Sequence, residues 1–112
     1  MKPFELVTAE SLSQASSLLL ADPKSTRIIA GGTDILDEIK EGLIGPRTLI
    51  SLAGATQHRG ISPGSDGLVI GAMTTVHQIE CHPDIVRDYP ALAQAAASVA
   101  TPQIRNVGTL GG

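Results

Sequence analysis

The chain has 112 residues and a net charge of −3, so it suits one domain with a modest core and offers no basic footprint for nucleic acid or an anionic membrane. Hydrophobic residues make up 42% and charged residues 17%, a globular balance, while aromatics at 2% leave almost no faces on which bases could stack. The single cysteine, Cys81, excludes an internal disulfide and an iron–sulfur cluster held by this chain alone, and it suits a reducing, cytoplasmic setting.

Residues 1–5 lack the apolar centre of a signal peptide, and no apolar run approaches the roughly 20 residues of a membrane span, so no membrane insertion is expected. Residues 4–7 read as a short extended entry. Ser11 with Gln14 forms a possible capping box, and Leu12, Ala15, Ser16 and Leu19 then lie on one helical face until Asp22-Pro23. Residues 26–30 predict a buried strand that breaks at Gly31-Gly32. Residues 34–41 predict a helix with Ile35, Leu36, Ile39 and Leu43 facing inward, stopped by Gly42 or Gly45. A second buried strand is expected at 48–52, a polar loop with His58 and Arg59 at 53–66, and a third strand at 68–72.

Thr75 with Gln78 marks a short helix through Ile79, Pro83 interrupts, and residues 84–86 add a turn. Pro90 suits the first turn of an alanine-rich helix running to about Ala100. Residues 107–112 look like a strand entering a glycine turn, and the expectation is that the natural chain continues beyond it. Strands alternating with helices indicate an α/β or α+β layer structure, with its weakest boundary near residues 73–75.

Chemistry concentrates in two glycine segments. In Ile28-Ile29-Ala30-Gly31-Gly32-Thr33-Asp34-Ile35-Leu36 a strand delivers the chain to a helix start through two glycines. Helix starts leave backbone N–H groups without partners, and glycines let the backbone approach a ligand, so the pattern suits a phosphate or diphosphate. The alternative is a plain strand-to-helix turn capped by Thr33 or Asp34. Neither a Walker loop nor the G-x-G-x-x-G fingerprint is present. The second segment, 101–112, again sets a threonine, Thr109, beside glycines. His58, His77 and His82 are scattered, and adjacent Cys81-His82 lacks zinc-pair spacing, so no metal site is expected. Arg105 could approach a phosphate or an acidic neighbour, although a lone Arg on a turn is more often a surface group, and no nucleophile–base set appears, so no catalytic residue is assigned.

Three motifs in order, residues 30–36, Ile70-Gly71-Ala72-Met73-Thr74-Thr75, and Gln103-Ile104-Arg105-Asn106-Val107-Gly108-Thr109-Leu110-Gly111-Gly112, resemble the FAD-binding domain of the xanthine dehydrogenase family. The likeness is strongest to the separate medium subunits of bacterial molybdenum hydroxylases, such as carbon monoxide dehydrogenase. It implies an α+β flavin fold of two subdomains with FAD between them, the first over 1–53 and the second beginning within 54–112 and incomplete at the C-terminus. It implies FAD contacts at Ile29, Ala30, Gly31, Gly32, Thr33, Asp34 and Ile35, and at Ala100, Ile104, Gly108, Thr109 and Gly112. It further implies a molybdenum-cofactor large subunit and an iron–sulfur small subunit as partners, with electrons passing through FAD to an external acceptor. Two other readings stand beside it: a non-redox module holding another diphosphate compound, and an inactive truncated remnant of the flavoprotein.

Overall fold

The computed structural model describes residues 2–112. The first half is a parallel sheet. Strand β1 (Glu5–Thr8) leads to helix α1 (Leu12–Ala21), strand β2 (Thr26–Ile29), helix α2 (Ile35–Lys40) and strand β3 (Thr48–Ser51). The sheet order is β1-β3-β2, with Val7 and Ile28 both in register with Ile50. The central strand therefore carries the core: Leu49 and Ile50 are buried, and Ile50 packs with Ala9 and Ala15 beneath Leu18, Leu19 and Leu52.

Local chemistry explains the helix ends. Ser11 Oγ accepts from Gln14 N at 3.0 Å, and Gln14 Oε1 accepts from Glu10 N at 2.8 Å, so the return bond of the capping box lands one residue early. The buried stripe of α1 is Ala15, Leu18 and Leu19, while Leu12 and Ser16 of the expected face are exposed. Helix α2 closes in a Schellman motif: Gly42, at φ +75°, donates to Ile39 O and Leu43 N to Glu38 O. The chain has then left the helix, so Leu43 points outward instead of inward and is exposed.

The expectation of a buried strand at 26–30 also needs correction. β2 pairs on one side only, and Arg27 and Ile28 are exposed.

The second half is a hairpin under short helices. Residues 53–66 are not one loop. They hold a 3-10 turn, Thr56–His58, and strand β4 (Ile61–Gly64), which pairs antiparallel with β5 (Gly67–Ile70). Pro63 and Gly64 disguise β4 in the sequence, but a two-stranded ribbon has room for a proline that donates no hydrogen bond. Helices α3 (Val76–Cys81), α4 (Pro83–Asp88) and α5 (Pro90–Ala97) follow. Thr75 and Gln78 close a full capping box on α3. The turn expected at 84–86 is the helix α4, and α5 ends at Ala97, short of the expected limit.

Ile79, Ile85, Ala93 and Ala96 form the core of this half, packed against Ile61, Leu68, Ile70 and Val76. A short helix α6 (Pro102–Arg105), capped by Thr101 Oγ1 on Ile104 N, precedes the terminal glycines. Residues 107–112 form no strand; their only sheet-like contact among the described residues is the isolated bridge Thr75–Thr109.

One buried polar side chain pins the hairpin. Thr74 is fully buried, and its Oγ1 accepts from Gly60 N at 2.9 Å and donates to Gly60 O at 3.0 Å. Replacing it by the isosteric valine leaves both backbone groups without these bonds. Thr74→Val is expected to lower the unfolding free energy by about 1–3 kcal/mol in urea denaturation, and Thr74→Ser, which keeps the hydroxyl, by less.

Candidate functional site

A cleft of about 530 Å³ lies between the two halves. Its walls are Ala30, Gly31 and Ala53 from the sheet half, and Arg59, Met73, Thr75, His77, Gln78, Asn106, Val107 and Thr109 from the other. No carboxylate is among them, although the chain carries a net charge of −3. Arg59 supplies a cation, held in place by an Nη2 bond to Ala53 O at 2.9 Å. Such a lining favours an anion.

The two glycine segments meet at this cleft. A Cβ built on Gly31 would stand 2.6 Å from Val107 O and 2.9 Å from Gly108 Cα. Only glycine permits that approach of two backbones. The seam is tied by Gly31 N donating to Gly112 O at 3.3 Å, Gly108 N to Ile104 O at 2.7 Å, and Val76 N to Gly108 O at 2.9 Å. Thr109 Oγ1 closes the last turn on Gly112 O at 2.7 Å.

Beside the seam, the N–H groups of Gly32, Thr33, Asp34 and Ile35 find no protein acceptor among the described residues. Asp34 stands at the N-cap of α2 but makes no side-chain cap bond, contrary to the capping role expected for it. Consecutive unpaired donors at a helix start are the chemistry that a phosphate group satisfies.

The predicted contact residues divide into groups. Ala30, Gly31 and Thr109 line the cleft. Gly32 (φ +81°), Thr33, Gly108 and Gly112 build the seam and the donor row behind it, with Ile29 and Leu36 side chains flanking Gly32. Ile35 is half-buried at the start of α2. Asp34, Ala100 and Ile104 are exposed and stand outside the lining. Ala100 is the one non-glycine residue among those described with a left-handed backbone, at φ +41°.

Sequence reasoning missed Arg59, His77, Gln78 and Asn106 as lining residues. Their only signal was a position next to glycines or caps.

Arg105 is not a free surface group. Its Nε meets Glu80 Oε1 at 3.3 Å, both side chains being largely buried, and its Nη1 donates to Val99 O at 2.9 Å. Glu80 Oε1 also contacts His77 Nδ1 at 2.8 Å. The His77 bond, and after it Arg105, hold the Glu80 carboxyl below its ordinary range against the opposing effect of partial burial. This pair ties α3 to α6 and so to the second glycine segment.

Residues 2–112 match the family model described as the FAD binding domain in molybdopterin dehydrogenase. The chain is 39% identical to the nicotinate dehydrogenase FAD-subunit of Eubacterium barkeri, over 100% of this chain and 38% of that protein. Among solved structures, a carbon monoxide dehydrogenase from Hydrogenophaga pseudoflava superposes with a TM-score of 0.93 at 35% identity, covering 100% of this chain and 40% of that one. Quinoline 2-oxidoreductase from Pseudomonas putida 86 superposes with a TM-score of 0.91 at 34% identity, again over 100% of this chain and 40% of that one. The chain thus spans about two fifths of the length of these relatives.

The seam makes Gly31→Ala a sharp test of the site's geometry. The added methyl meets backbone, which cannot swing aside, so a loss of about 1–3 kcal/mol is expected with faster amide exchange at residues 107–112. Gly45→Ala, whose added Cβ meets only the Lys2 side chain at 3.9 Å, is expected to stay within about 0.5 kcal/mol of the parent in the same thermal and exchange measurements.

Proposed function

The chain belongs to the family of FAD-binding domains in molybdopterin dehydrogenases, and from that premise we propose that its cleft holds the diphosphate of FAD as part of a molybdenum-hydroxylase oxidoreductase. The observation that carries this reading is the meeting of Gly31 with Val107 and Gly108 beside a row of four unpaired N–H groups. The backbone of Gly32, Thr33, Asp34 and Ile35 donates to the phosphate oxygens. Ala30, Gly31 and Thr109 form the wall along which the cofactor runs, and Gly108 and Gly112 allow that wall to be thin. Arg59 offsets the phosphate charge from the cleft's other side.

FAD, when bound, supplies the electron-transfer chemistry. This chain's residues place the cofactor and exclude competing groups, and none of them acts as an acid or base. The reading divides the chain into a first subdomain over residues 1–53 and, over 54–112, a linker and the beginning of the second, with the cofactor between them. In an assembled enzyme this chain would stand beside a molybdenum-cofactor large subunit and an iron–sulfur small subunit, and its cleft residues would hold the flavin through which electrons could reach an external acceptor. The relatives' names as FAD-subunit and medium chain support such a division of labour. Among the described residues no helix is long and apolar enough to cross a membrane, and the lone cysteine fits the cytoplasm as the working compartment.

Flavin fluorescence titration of the 112-residue chain tests the reading. Saturable binding of FAD is expected, at least about tenfold tighter than FMN, which lacks the diphosphate, with ADP competing; one to three charge-assisted hydrogen bonds account for such a ratio. Equal affinity for FMN and FAD, or no binding by a chain that circular dichroism shows to be folded, would sink it. FAD bound weakly beside tight binding of another nucleotide diphosphate would instead favour the non-redox module.

A further inference from the structure

Helix α3 carries a second cluster, of which the flavin reading uses only His77, as part of the cleft lining. His77, Glu80 and Cys81 fall at i, i+3 and i+4, so their side chains share one face. His77 Nδ1 lies 2.8 Å from Glu80 Oε1, and Cys81 Sγ lies 3.8 Å from both ring nitrogens of His77. One donor atom from each residue fits within 4.8 Å of the other two.

These spacings can be set against a tetrahedral metal. Bonds of about 2.0–2.1 Å to nitrogen and oxygen and about 2.3 Å to sulfur separate the ligand atoms by roughly 3.3 Å and 3.6 Å. For an ion to enter, the His77–Glu80 separation widens by about half an ångström, the His77–Cys81 separation closes slightly, and Glu80 and Cys81, within 4.8 Å of each other, draw together by side-chain rotation. We propose that His77, Glu80 and Cys81 form a zinc-binding site with three protein ligands and a fourth position open to solvent.

The donor set decides the metal. Imidazole nitrogen with thiolate sulfur selects zinc and similar borderline ions, whereas calcium and magnesium take oxygen ligands. Access is provided, since His77 and Cys81 are exposed. Orientation is provided too. Arg105, itself anchored on Val99 O, bonds the same Glu80 Oε1 that faces His77 and so fixes the carboxylate beside the cluster. Arg105 also adds positive charge nearby, which offsets part of the attraction from the thiolate and carboxylate. The site sits at the rim of the cleft, because His77 is shared with its lining.

The test titrates the 112-residue chain with Zn²⁺ against a chromophoric chelator, in a non-thiol reductant and without flavin, so that its result is independent of the flavin reading. Binding of one ion per chain is expected. Co²⁺ in place of Zn²⁺ is expected to show a thiolate-to-cobalt charge-transfer band that is lost in Cys81→Ser. His77→Ala and Glu80→Gln should each weaken zinc at least tenfold, while His58→Ala leaves it unchanged. Circular dichroism confirms that each variant is folded. A folded parent that shows no charge-transfer band, or that binds zinc no better than folded His77→Ala and Cys81→Ser, would overturn the proposal.

Discussion

The close approach of the Gly31 backbone to Val107 and Gly108 is the contact on which the rest of the site depends. It joins the parallel sheet to the helical half where no side chain stands between them. A single added methyl would occupy space already held by a carbonyl oxygen. Because both partners are backbone, neither can rotate away, and the seam is rigid in a way that a contact between flexible side chains is not. The cleft owes its shape to that rigidity: its sheet-side wall includes Ala30 and Gly31, and its opposite wall includes Val107 and Thr109.

Two polar devices hold the second half against this seam. Thr74 grips both backbone groups of Gly60 and so fixes the β4–β5 hairpin under the start of α3. Glu80 and Arg105 link α3 to α6, and α6 feeds residues 107–112 into the seam. Both devices are largely withdrawn from water, where a hydrogen bond to a charged or backbone group is strong and its loss costly. The same Glu80 also faces His77, so one carboxylate serves the fold, the rim of the cleft and the proposed metal cluster.

Features governed by neighbouring residues were legible in the sequence. The Ser11 and Thr75 caps, the stops at Asp22 and Gly42, and the proline starts of α5 all rest on hydrogen bonds or dihedral limits within a few residues. Features governed by distant neighbours were not. Apolar Ile28 and Ile29 suggest a buried strand, yet only pairing order reveals that β2 is an edge. β4 was hidden by Pro63 and Gly64 because its partner, not its composition, makes it a strand. Leu43 fits a helical stripe by spacing alone, but the left-handed Gly42 ends the helix before it.

The sequence by itself determined that two glycine segments and their threonines exist, that one stands at a strand-to-helix start, and that three motifs in order resemble a flavin-binding family. Those are matters of residue type, local backbone freedom and motif order. Only the tertiary structure decided that the two segments abut, that Gly31 N is taken by Gly112 O while the next four N–H groups stay unpaired, and that Arg105 turns inward to Glu80. Within α3, by contrast, one local helical turn sets Cys81 against His77 and not against its neighbour in sequence, His82. The reason is physical: helical periodicity and sheet pairing carry groups together through space, and steric exclusion then selects which of them can touch.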